Sequence, residues 1–113
     1  MSLRTQKAGE LIRDILSELF QRKIKDRIGF ASITSVEVTP DFSEAFVYVS
    51  VLGPEADRKK TMQTLIRSTG FLRKELGHAI ELRHTPKLIF REDTSLEYGS
   101  NIIAKLNKLK KSS

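Results

Sequence analysis

The sequence predicts an α+β domain: a three-stranded sheet with helices mainly on one face. Three stretches carry this reading. Residues 7–25 repeat apolar side chains at helical spacing, and residues 45–51 alternate as a strand does. A second helical stretch, residues 62–79, has a weak centre at Ser68-Thr69-Gly70. The chain has 113 residues, which suits one domain spanning 1–113 with one core.

In the first helix, Ala8, Leu11, Ile12, Ile15, Leu16, Leu19, Phe20 and Ile24 form one broad stripe. Arg13, Asp14, Glu18 and Arg22 take the other side. The helix ends in the basic cluster Arg22, Lys23, Lys25 and Arg27. These cations either complement the dipole at the helix C-terminus or meet phosphate.

Residues 30–39 turn extended, with Ile33, Val36 and Val38 apolar. Thr39-Pro40-Asp41-Phe42-Ser43 has turn chemistry, because Pro presets a dihedral and Asp bonds its own backbone. The next strand puts Ala45, Val47, Val49 and Val51 on one face and Phe46, Tyr48 and Ser50 on the other. The short connection makes the two strands antiparallel. Phe46 and Tyr48 are candidates for stacking on bases, although cover for the sheet explains them as well.

Gly53-Pro54-Glu55 breaks the strand and opens a helix, followed by the cations Arg58-Lys59-Lys60. Met62, Leu65, Ile66, Thr69, Leu72 and Leu76 keep a near-helical period, and Phe71 falls off it. Ser, Thr and Gly are poor in a helix interior, Gly by about 1 kcal/mol against Ala. The stretch is either one helix with a soft middle or two helices meeting near Gly70. In the second case the amides that start the second helix face an anion, with Arg67, Arg73 and Lys74 around them. Gly77 is a second weak point.

A third strand is expected over residues 81–92, with Leu88, Ile89 and Phe90 at its centre. Arg83, Lys87 and Arg91 recur every fourth residue and so point to one side of it. Thr94-Ser95-Leu96-Glu97 reads as a capping box for a last helix with Tyr98, Ile102, Ile103, Leu106 and Leu109 on one face. Residues from about 107 to 113 are expected to be a frayed basic tail.

Charge is the first functional signal. Residues 1–56 carry 7 Lys/Arg against 8 Asp/Glu, and residues 57–113 carry 13 against 6. One-sided basic charge is the footprint of a phosphate-rich partner. The chain has no cysteine, no apolar run long enough for a membrane span and no apolar core of a secretory signal, so a cytoplasmic protein is expected. His78 and His84 are the only histidines, and Glu92 and Asp93 suit a turn or cap. No P-loop, nucleophile elbow or metal-ligand spacing is present, so neither catalysis, a metal nor a cofactor is expected.

The order helix, strand, strand, helix–kink–helix, strand, helix is that of the prokaryotic, type II KH domain with a C-terminal helix added. At the place of the GXXG loop that clamps nucleic-acid backbone in KH domains stands Ser68-Thr69-Gly70-Phe71. Nearly the whole chain resembles the ribosome-binding factor A family. The resemblance rests on residues 34–45 (TSVEVTPDFSEA) and 47–51 (VYVSV), then Gly70-Phe71-Leu72-Arg73 with Glu75-Leu76. It continues in Leu82-Arg83, Thr85-Pro86, Leu88, Phe90, Asp93, Ser95 and Gly99.

The resemblance implies a non-enzymatic assembly factor. It would bind the small (30S) ribosomal subunit and its 16S rRNA, supporting late maturation, 5′-end processing of the rRNA and adaptation to cold. The family replaces GXXG with an Ala-x-Gly kink, and Ser68 stands here in the Ala position. Charge and placement make Arg67, Ser68, Thr69, Gly70, Arg73, Lys74, Arg83, Lys87 and Arg91 the candidate RNA contacts. The chain is expected to act as a monomer, with other assembly factors as further candidate partners and no membrane. The alternative is a generic KH-type binder of single-stranded RNA, or a protein-interaction module.

Overall fold

The computed structural model describes residues 2–24, 31–80 and 84–94. Helix α1 spans Leu3–Leu19 and widens into a π-helical turn, Phe20–Ile24. It begins four residues before the apolar period does, because Ser2 caps it: its side chain accepts from the Thr5 amide at 3.3 Å. Ile12, Leu16, Leu19 and Phe20 are buried, whereas Leu11, counted in the stripe, is 48% exposed.

Strand β1 is Ala31–Val38 and β2 is Glu44–Val51. They pair antiparallel as expected, with a shift between Ile33 and Ser35 that leaves Thr34 as an extra residue. This bulge resolves the odd spacing of Ile33 and Val36. They face the core together only because one residue is inserted between them. Between the strands, Phe42 has φ 61 and tucks against the core. Asp41 holds this turn by accepting from the Ser43 hydroxyl at 2.7 Å, the Thr39 hydroxyl at 2.8 Å and the Ser43 amide at 3.1 Å.

Helices α2, Glu55–Arg67, and α3, Thr69–Ala79, follow, then β3, Lys87–Glu92. Pro54 is the cap residue of α2, and Glu55 and Asp57 lie in its first turn. Strand β3 is shorter than expected, since Pro86 sits buried just before it. It runs parallel to β2, giving the order β1-β2-β3. The capping box from Ser95 on, the last helix and the basic tail lie outside the described residues.

All the described helices cover one sheet face. Ala45, Val47 and Val49 of β2 are fully buried beneath them, with Leu65, Leu72 and Leu76 from α2 and α3. Phe20 meets Phe90 of β3, ring centres 6.3 Å apart. Gly9 lets α1 lie directly on β1, because a Cβ there would stand 2.6 Å from the Val36 carbonyl oxygen. The far ends of the sheet are tied together by Thr34, whose hydroxyl donates to Asp93 Oδ2 at 2.7 Å.

Gly9→Ala should therefore destabilise the fold by about 1–3 kcal/mol, read as a lower denaturant midpoint. The hydrogen bonds to Asp41 hold its pKa below the ordinary carboxylate value. The unfolded chain then binds more protons in the window from about pH 4 downward, so stability falls with pH there. Asp41→Asn should flatten that acid limb in unfolding curves taken across pH.

Candidate nucleic-acid interface

The weak centre of the long helical stretch is a break. Ser68 leaves helical geometry at φ −85, ψ 0. Its amide still donates back to the Thr64 and Leu65 carbonyls at 2.9 and 3.1 Å, so the end of α2 is closed. The Thr69 hydroxyl also donates to the Leu65 carbonyl, at 3.2 Å. A Ser-Thr-Gly run offers the backbone these alternatives to a straight helix, and kinks gather at such residues. The break therefore falls at Ser68, two residues before Gly70. Gly77 does not interrupt α3, which runs through it to Ala79.

The core survives the break because Leu65, Leu72 and Leu76 stay on one face across it. Ile66, counted in the buried period, instead lies 58% exposed, and Phe71 lies 43% exposed. Gly70 between them has no positive φ, and a Cβ there would meet nothing within 4 Å. No described residue of the chain requires glycine at this position.

Arg67, Gly70, Arg73 and Lys74 are all exposed around the break, with Ser68 and Thr69 half-buried. Arg73 also reaches out of its helix, Nη2 donating to the Thr85 carbonyl at 2.9 Å. Gly77 lets the same loop come close, because a Cβ there would stand 2.9 Å from Thr85 Oγ1. Between α3 and this loop lies a shallow groove of about 670 Å³, lined by Gly70, Arg73, Lys74, Gly77, His78 and His84, with Thr85. Both histidines thus belong to the basic surface, a grouping missed in the sequence because they sit on different elements. The spacing of Phe71, Lys74 and His78 could have shown part of it: they share one side of a helix.

Lys87 and Arg91 stand elsewhere. They do point to one side of β3, as their spacing predicts, but that side faces away from the helices. Their partners in register are Glu44 and Tyr48, with Phe46 between, and the Arg91 guanidinium lies 5.3 Å from the Phe46 ring centre. This contact already occupies part of the aromatic surface considered for stacking. Glu37 of β1 also pairs beside Phe46, so this face carries acids as well as cations. The candidate residues therefore split into a basic helical surface and a charge-balanced sheet surface. Arg83 lies outside the described residues, as do Lys25 and Arg27. Of the cluster closing the first helix, Arg22 pairs with Glu18 at 3.4 Å and Lys23 is exposed.

Of the cations opening α2, Arg58 meets Glu92 at 3.7 Å and Lys59 meets Glu55 at 3.5 Å. Glu92 and Asp93 thus hold strands and helices together. Among the described residues no group of three His, Asp or Glu could hold a metal ion, and no helix is long and apolar enough to cross a membrane.

Comparison with known proteins agrees on one family. The model of the ribosome-binding factor A family matches residues 4–106. A ribosome-binding factor A from Macrococcus caseolyticus is 45% identical over 112 residues, covering 96% of this chain and 98% of that protein. The crystal structure of ribosome-binding factor A from Thermus thermophilus superposes with a TM-score of 0.70 at 22% identity, over 78% of this chain and 94% of the other. A homology model of the Thermus thermophilus factor, fitted into a cryo-EM map of its 30S complex, gives 0.65 at 22% identity, over 76% and 91%.

Gly70→Ala should leave the fold intact and raise its stability by about 0.4–1 kcal/mol, since the backbone and the space both accept a methyl group. Chemical denaturation of the two proteins checks this.

Proposed function

The chain belongs to the ribosome-binding factor A family, and from that premise we propose that it is a non-enzymatic assembly factor that docks on the small ribosomal subunit through its helix–kink–helix surface. The observation that carries the reading is the break itself. Arg67, Arg73 and Lys74 gather around a glycine that nothing described in this chain requires. A glycine lets a partner's backbone come close, and the cations suit phosphate. Ser68 and Thr69 present small polar side chains at the same place.

The charge balance ranks the two surfaces. The helical side offers two cations and two histidines around one groove, with Arg67 exposed at the end of α2, whereas Lys87 and Arg91 share theirs with Glu37 and Glu44. The first is the principal rRNA contact, and the second is peripheral. Binding of this kind holds an immature rRNA conformation without chemistry, which fits a role in late maturation and in 5′-end processing of the rRNA. A role in the cold follows, because misfolded RNA is longest-lived there. The factor works in the cytoplasm as a monomer, beside other assembly factors.

The test is co-sedimentation with immature and mature small subunits across a salt series. Arg67→Glu combined with Lys74→Glu should weaken attachment about tenfold or more. It should also lower the slope of log affinity against log salt, by about 0.7–0.9 for each phosphate that the protein no longer neutralises. Lys87→Glu with Arg91→Glu should change it less. Attachment that ignores salt and survives the first pair of reversals would reject the helical surface as the docking site.

A further inference from the structure

We propose that Phe71 is a stacking platform for an unpaired nucleobase, so that the kink surface takes single-stranded rather than duplex RNA; this rests on the reading of that surface as the rRNA contact. Phe71, Lys74 and His78 stand at i, i+3 and i+7 of α3, so they line one side of the helix. Two of the three line the groove, and Phe71 continues their row along the helix beside it, next to Gly70. Its neighbour Leu72 is fully buried, so the helix cannot roll to hide the ring without exposing the core. A large aromatic side chain is thus held at the surface, beside a residue with no side chain.

The neighbours suit a nucleotide. Side chains three residues apart on a helix have Cβ atoms about 5–6 Å apart, the scale that separates a base from its own phosphate. Lys74 offers charge for the phosphate, and the ring offers an apolar face for the base. Duplex RNA presents phosphates but keeps its base faces covered, so it would use the cations and leave Phe71 idle. A protein partner would use the ring as a plain apolar contact, which Lys74 beside it does not favour unless that partner is acidic.

The chain has no tryptophan, so Phe71→Trp places a single fluorophore at the site. Oligoadenylate should quench it, and so should the small subunit, while an oligoadenylate–oligouridylate duplex of equal length should not. Phe71→Ala should lose about 5- to 100-fold in affinity for the single strand. Phe71→Leu, which keeps the apolar contact without the ring, should lose nearly as much. Indole fluorescence of the Phe71→Trp variant that the single strand leaves unquenched, or a Phe71→Leu variant that binds the single strand as wild type does, overturns the proposal and leaves subunit docking by the cations standing. Failure of the wild-type protein to bind the small subunit, with Phe71→Trp still quenched by oligoadenylate, would support the stack and reject the functional reading instead.

Discussion

Leu65, Leu72 and Leu76 must stay on one buried face although the helix that carries them breaks at Ser68. Seven residues separate the first two and four the next, so two short helices satisfy the same core that one straight helix would. That freedom is what permits the kink. The core fixes where the inward faces point, and by exclusion it fixes what faces water: Ile66, Arg67, Gly70, Phe71 and Lys74. The proposed contact surface is thus the outer side of a packing constraint, held in place by apolar burial on its inner side.

Polar ties then link this surface to the rest of the fold. Arg73 bonds Thr85 in the stretch that leads into β3, and Gly77 lets Thr85 lie close, so the two walls of the groove are linked. Arg58 and Glu92 link the start of α2 to the end of β3. Thr34, from the bulge of β1, reaches Asp93 beyond the end of β3 and so spans the central strand. A preorganised surface loses less conformational entropy when a partner docks.

The two cation-bearing surfaces differ in kind. On the helical side, positive charge lies beside glycine, small polar groups and an exposed ring. On the sheet side, Arg91 already covers Phe46, and Glu37 and Glu44 stand close to it. Acids interspersed with cations lower the net charge that a distant phosphate meets on that side. Among the described residues, the basic excess of the second half of the chain thus gathers on the helical side, while the cations of β3 stand among acids.

Period and composition alone determined the fold class, the strand faces of β2, the antiparallel hairpin, the presence of a weak point near Gly70 and the basic character of the second half. Each of these is local: it depends on a side-chain repeat or on the backbone preference of a few residues. Only the tertiary structure decided that Ile33 and Val36 share a face, since a bulge is visible only against its partner strand. It alone showed that Gly9 is needed for a helix to rest on β1, and that His84 joins His78 and Lys74 across a loop. It also separated Lys87 and Arg91 from Arg67 and Lys74. A strand's two sides are legible in sequence, but which side the helices cover depends on how the sheet is assembled.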